Sequence, residues 1–252
     1  MKSMLWREFR TMVSSPLSII IHFVSPLFLL IFFATVFGRN LQSFAYSGTS
    51  VSYLDYFTPG LVGYITFMTF QLALVFVRHD RVSGMLGIIA LSKGNLANYI
   101  GGKIIAQIVL NIVKCLILVI LSIIISQGNI FISHPMNTIV FCIAIILGTA
   151  TWLCLGVSFA LKIKREDMRD IIVMLLSMPL TFSSSMYYDI SKAPSWIKAI
   201  SIINPLTYTC DIARSAYLSE SINIDSYKLI ILFIMAIISI GIAIFLSRRQ
   251  EY

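Results

Sequence analysis

The sequence predicts an all-α polytopic membrane protein with six transmembrane helices and both termini in the cytoplasm, and three observations lead there. The 252 residues are 58% hydrophobic and only 12% charged, about half the ~25% charged share of soluble domains, with a mean hydropathy of +0.90. The apolar residues come in runs long enough to cross a bilayer, which takes about 20 residues per helix. The basic residues, finally, are unevenly shared between the connecting segments. With the N-terminus inside, thirteen fall on the cytoplasmic side: Lys2, Arg7, Arg10, Arg78, Arg81, Lys93, Lys103, Lys162, Lys164, Arg165, Arg169, Arg248 and Arg249. Five fall outside (Arg39, Lys192, Lys198, Arg214, Lys228), and Lys114, the last of the 19, lies within a span. Such a bias sets orientation. It also assigns the net charge of +8 to the membrane face rather than to nucleic acid.

Residues 1–15 place Met1, Met4, Leu5, Phe9, Met12 and Val13 on one helical side and Lys2, Arg7, Glu8, Arg10 and Ser14 on the other. This predicts an interfacial amphipathic helix with Trp6 at headgroup level. The apolar run that follows is too long for the core of a cleavable signal peptide. Pro16 suits the first turn of the next helix, where its missing N–H is no loss. Span one is 17–37, with a kink expected at Pro26, and 38–55 reads as a loop with Gly and Ser turns. Span two is 56–77 and opens with Thr58-Pro59-Gly60.

Residues 78–103 interrupt the apolar runs, yet Met85, Leu86, Ile88, Ile89 and Leu91 sit together between Gly84 and Gly94. Their spacing predicts a short amphipathic helix on the cytoplasmic surface, placed to dock into a partner. Span three is 104–126 and span four 138–161, where Gly148, Thr149 and Gly156 allow close helix approach. After a charged loop, span five (171–187) contains Pro179 and ends in Ser183-Ser184-Ser185, so a break is expected near its outer end. Residues 189–227 are too many for a simple loop and too apolar for a solvated one. Trp196, Ile197, Ile200 and Ile203 follow helical spacing. Asn204-Pro205 then supplies an N-cap and a first-turn proline for a second helix over about 206–218. Two short helices beside a membrane predict a re-entrant element, tolerated only where protein or water covers its backbone. Span six is 228–246.

Lys103, Gln107, Asn111 and Lys114 share one face of span three. A lysine near the middle of a span costs at least ~2.5 kcal/mol unless paired or wetted, so Gln107, Asn111 and Lys114 are candidates for a translocation path or a dimer seam. Cys115, Cys142, Cys154 and Cys210 form no CxxC pair and read as packing residues, neither disulfides nor metal ligands. His22 reads as satisfying a neighbouring helix, His134 as a turn residue and His79-Asp80 as part of the basic cytoplasmic surface. Metalloprotease and serine-hydrolase motifs are absent from the sequence, and no acidic residue lies within a span to relay protons. A phosphate-binding loop is missing too: residues 97–104 lack its first Gly and its final Ser or Thr. If ATP drives this protein, another chain supplies the nucleotide site.

The chain resembles, over essentially its whole length, a permease of the ABC-2 type, the membrane subunit of ATP-driven exporters. The likeness lies in the amphipathic start with Arg7-Glu8, Pro16 and Pro26, Pro59-Gly60, and Arg81 followed by Gly84. Its most specific part is Pro194-Ser195-Trp196 with Asn204-Pro205-Leu206-Thr207-Tyr208 and Asp211 to Arg214. Val82 and Ser92-Lys93 depart from the family pattern and bear on which ATPase partner fits. The resemblance implies a six-span subunit that dimerises and pairs with two copies of a cytosolic ATP-binding subunit, which uses ATP and Mg. This chain itself would bind no cofactor. It also implies a coupling helix carrying Arg81, Gly84, Met85, Gly87 and Ile88. A re-entrant gate would carry Trp196, Asn204, Pro205, Tyr208, Asp211 and Arg214. The expected setting is the plasma membrane of a prokaryote. The spans offer few polar groups, so an amphipathic or lipophilic passenger is expected: a drug, lipid, glycolipid or polysaccharide. The alternative is a channel or secondary transporter not driven by ATP.

Overall fold

The computed structural model describes residues 6–7, 10, 16–40, 44–46, 49–85, 87, 96–126, 135–163, 165–218 and 226–248. Among them the order is α1 (Pro16–Asn40), a hairpin of β1 (Phe44–Tyr46) and β2 (Thr49–Val51), α2 (Tyr53–Val82), α3 (Leu96–Ser126), α4 (Pro135–Lys162), α5 (Glu166–Phe182), a 3-10 turn (Ile190–Lys192), α6 (Ser195–Ile203), α7 (Pro205–Leu218) and α8 (Ser226–Arg248). Among the described residues, α2, α3, α4 and α8 are long and apolar enough to cross a membrane. The stretches Phe23–Phe33 of α1 and Ile171–Phe182 of α5 are shorter apolar helices. Hydroxyls within these apolar helices fold back onto their own backbone. Thr58 donates to the Leu54 carbonyl at 2.8 Å, Ser158 to Cys154 at 2.7 Å and Ser239 to Met235 at 2.7 Å. An unmet hydroxyl among hydrocarbon costs several kcal/mol, so such back-bonding is what lets Ser and Thr sit there.

Three helices, α2, α4 and α7, form the centre, and small residues let them approach closely. A Cβ on Gly156 of α4 would stand 2.5 Å from the Phe70 carbonyl oxygen of α2. One on Gly148 would stand 2.8 Å from Thr209 of α7 and 3.0 Å from Thr66 of α2. Gly63 likewise admits the Cys210 thiol, and Gly60 lies under the backbone of Met186. Around this centre α3 lies against α2 and α4, α8 against α4 and α7, and α1 against α2. Rings fasten the last of these: Phe33 of α1 sits 4.5 Å from Phe57 of α2, and Tyr187 lies 5.9 Å from Phe57. On α8 the buried residues Leu232, Ala236, Ser239, Ala243 and Ser247 make one narrow stripe, while Phe233, Ile234, Ile237, Ile238 and Phe245 are exposed. That asymmetry suits a helix with one face on protein and the other on lipid.

Several boundaries differ from expectation. The second span (56–77) is the middle of α2, Tyr53–Val82, and the third (104–126) is the later part of α3, Leu96–Ser126. Much of the supposed interruption at 78–103 is therefore helix continuing past the apolar run, because hydrogen bonding propagates wherever no breaker intervenes. The breaker is Gly84, whose φ of +73° turns the chain out of α2. Span five (171–187) is displaced: α5 is Glu166–Phe182, and Ser183–Ser185 form a buried turn. The loop at 38–55 holds the end of α1, the antiparallel hairpin that pairs Phe44 with Val51 and Tyr46 with Thr49, and the start of α2. Alternating β-prone residues outweigh the Gly and Ser there. Of the predicted interfacial helix 1–15, only Trp6, Arg7 and Arg10 are described, all helical. α1 starts at Pro16 as expected and runs continuously through Pro26.

Candidate gate, coupling and translocation sites

The two short helices before α8 fold as the sequence predicts but differ sharply in surroundings. α6 is exposed, with Trp196 64% accessible, whereas nearly every residue of α7 from Pro205 to Tyr217 is buried. Asn204 makes the junction. Its Oδ1 accepts the Leu206 N–H at 3.0 Å, the N-cap bond, and its Nδ2 donates to the Leu180 carbonyl at 2.7 Å and the Ser183 hydroxyl at 3.3 Å. The Tyr208 hydroxyl donates back to the Ile202 carbonyl at 2.7 Å. Losing a cap costs about 1 kcal/mol, and each buried acceptor left unmet adds about 1–3. Asn204→Ala, which removes the cap and the donor to the Leu180 carbonyl, is therefore expected to destabilise by about 2–4 kcal/mol in thermal melts. Asn204→Ser, which caps but cannot reach Leu180, should recover about 1 kcal/mol. Equal melting of all three would refute the cap.

Further along α7, Arg214 is 1% exposed. Its guanidinium donates to the Tyr56 carbonyl at 3.2 Å, the Ser185 carbonyl at 2.6 Å and Asp211 at 3.3 Å, and lies 3.8 Å over the Tyr56 ring. Asp211 also accepts from Ser185 at 2.5 Å and pairs with Lys228 of α8 at 2.9 Å. One acid and two bases thus tie α7 to α2, to the turn after α5 and to α8. Of the predicted gate residues, Asp211 and Arg214 meet here, Asn204, Pro205 and Tyr208 build the α6–α7 junction, and Trp196 stands apart on α6.

At the opposite end of α2, Asp80 is a hub. Lys103 of α3 pairs with it at 3.0 Å, the Tyr99 hydroxyl donates to it at 2.5 Å and Arg7 reaches it at 3.4 Å. Its neighbour Arg81 turns the other way and donates to the carbonyls of Ala160, Leu161 and Ile163 at 3.1–3.3 Å. A cation on the last carbonyls of α4 satisfies orphan acceptors and opposes the helix dipole. Asp80 and Arg81 therefore bind α2 to α3, α4 and the N-terminal segment just before the turn at Gly84. Beyond them Met85 is half-buried against the core, while Gly84 and Gly87 are exposed and a Cβ on either would meet nothing within 4 Å. Ile88 and residues 89–95 lie outside the described residues.

On α3, Gln107 donates to Asn111 at 3.3 Å and Asn111 to Thr149 of α4 at 3.0 Å. Lys103, grouped with that face in the sequence, is committed to Asp80. Lys114 is 8% exposed. It has no hydrogen-bond or ion-pair partner among the described residues. The hub residues Asp80 and Tyr99 escaped the sequence reading, which assigned His79-Asp80 to a basic surface. The available signal was a lone acid among bases just past a span. The side of α7 that each residue would face, and the roles of Ser185 and Tyr56, had no signal in sequence at all.

A bundle of apolar helices that walls in one short capped helix, with a polar face on a central span and an ion-pair hub beside an exposed turn, is the build of a multi-pass membrane protein. The chain belongs to the ABC-2 type transporter family, which matches residues 1–218. It is similar to a protein of Cyanophora paradoxa that carries the name of a transport permease, ycf38, with 25% identity over 219 residues, 85% of this chain and 73% of that protein. It is thus the membrane subunit of a transporter, an integral membrane protein, and its family implies association with an ATP-binding subunit.

Proposed function

We propose that this chain is the permease of an ATP-driven exporter. It crosses the plasma membrane of a prokaryote six times with both termini inside. Two copies of it frame the path for an amphipathic or lipophilic passenger, and two copies of a cytosolic ATP-binding subunit hydrolyse ATP with Mg. The observation that carries this reading is the Asp80–Arg81 node. The stretch from Gly84 through Met85, Gly87 and Ile88 would receive the ATPase, and that stretch leaves α2 directly after two side chains gripping α3 and α4. A displacement there acts on three spans together rather than on one loop. Gln107, Asn111 and Lys114 of α3 would line the path, and α6–α7, from Trp196 to Arg214, would form its outer gate.

The test is reconstitution with the candidate ATP-binding subunit. Gly84→Trp would confound docking with strain, since its φ is +73°. Gly87→Trp is cleaner, because its backbone is outside the left-handed region and a Cβ there meets nothing within 4 Å among the described residues. Gly87→Trp should fold normally yet abolish ATPase pull-down or uncouple hydrolysis from transport. Undiminished ATP-dependent transport would refute the docking role, and transport at full rate without ATP would favour a channel. Orientation is read separately: with Cys142 replaced, a cysteine at Ser191 should react with an impermeant thiol reagent from outside, and one at Lys93 should not. Labelling at position 93 from outside would overturn the topology.

A further inference from the structure

We infer that Lys114 is the seat for the anionic head group of an apolar-tailed passenger or lipid; this rests on the permease reading above and narrows its substrate class. Of the three cations buried among the described residues, Lys103 has Asp80 and Arg214 has Asp211, but Lys114 has none. At 1.5 Å per residue it stands about 16 Å along α3 from Lys103, half of a ~30 Å hydrocarbon core. A charge left unpaired at that depth is expensive and marks a site by default.

Among the described residues, no carboxylate pairs with Lys114. The eleven acidic residues are Glu8, Asp55, Asp80, Glu166, Asp167, Asp170, Asp189, Asp211, Glu220, Asp225 and Glu251. Asp55 and Asp80 lie within one turn of the two ends of α2, and α1, α3, α4 and α8 contain none. Asp211 already holds Arg214 and Lys228 near the Tyr56 end of α2. An anionic group brought by a bound amphiphile would complete the site.

The surroundings describe that group. Toward the core, the polar chain Gln107–Asn111–Thr149 begins one turn before Lys114. Toward the outside, Val113 and Ile117, the residues one before and three after it, are 48% and 40% exposed. Residues three apart are neighbours on a helix, so Lys114 stands beside an exposed apolar strip of α3. A compact ammonium recognises a single charge such as phosphate or carboxylate, and the strip suits an attached hydrocarbon.

Binding is measured on the full-length permease alone, in a neutral detergent, with dodecyl phosphate as probe. Dodecyl trimethylammonium and inorganic phosphate serve as controls. Wild type should bind dodecyl phosphate at least about tenfold more tightly than either control, and Lys114→Met should lose that preference while melting no lower than wild type, since an unpaired charge is removed rather than created. Absence of the preference in wild type overturns the proposal without any variant, as does its survival in Lys114→Met. Native mass spectrometry after extraction from phosphatidylglycerol-containing vesicles separates the sources. Phosphatidylglycerol retained by wild type and lost in Lys114→Met points to a lipid. Dodecyl phosphate binding without retained phosphatidylglycerol points to a soluble amphiphile. Because no ATPase is present, failure here leaves the coupling reading standing, and failure of coupling leaves this binding intact.

Discussion

Arg214→Ala is expected to lower the stability of the permease by about 3–5 kcal/mol, the range for removing one partner from a buried charged network. The side chain reaches the Tyr56 carbonyl of α2, the Ser185 carbonyl after α5 and Asp211 at once, with its plane over the Tyr56 ring. Alanine removes every one of those donors and leaves a space at a position that is 1% exposed. Arg214→Lys should rescue little, because one ammonium cannot span acceptors on three elements. In detergent the melting midpoint should fall on the order of 10 °C, with early proteolysis around 183–192. A midpoint within about 2 °C of wild type would mean that the clamp does not hold the fold.

Gly156→Leu is expected to have a comparable effect by a different route. A Cβ there would stand 2.5 Å from the Phe70 carbonyl oxygen and 2.7 Å from the Ala73 Cβ. Overpacking a core usually costs 1–3 kcal/mol, roughly, when side chains can shift. Here the obstacle is backbone, so α2 and α4 must separate and the cost exceeds that range. Two controls isolate the cause. Gly241→Leu on the exposed face of α8, where a Cβ meets nothing within 4 Å, should melt within about 0.5 kcal/mol of wild type. Adding Ala73→Gly to Gly156→Ala should relieve the Cβ contact but not the carbonyl contact, and so restore only part of the loss. Full restoration would place the crowding in side chains and refute a backbone crossing.

Much of the architecture was legible because it follows from local chemistry. Run length and hydropathy located the long helices. Asn204-Pro205 read correctly as a cap and first-turn proline because both act within three residues of where they stand. Gly148 and Gly156 were recognised as points of close approach, though not which helices they would meet. The displaced α5 and the lengthened α2 and α3 were misjudged for one reason. Hydropathy marks where a chain is apolar, whereas a helix ends only where capping, glycine or proline stops its hydrogen bonding.

The candidate sites divide the same way. By itself the sequence determined a multi-pass helical membrane protein, the helical face that Gln107, Asn111 and Lys114 share, and the short helices before the last span. Each follows from periodicity, which is a property of neighbours along the chain. Only the tertiary structure decided that Asp80 joins Arg7, Tyr99 and Lys103, that Arg81 grips the end of α4, and that Arg214 is clamped while Lys114 is left without a partner. Pairing of charges depends on which helices lie side by side and at what depth. That choice is made by the close approaches at Gly60, Gly63, Gly148 and Gly156, between residues far apart in the chain.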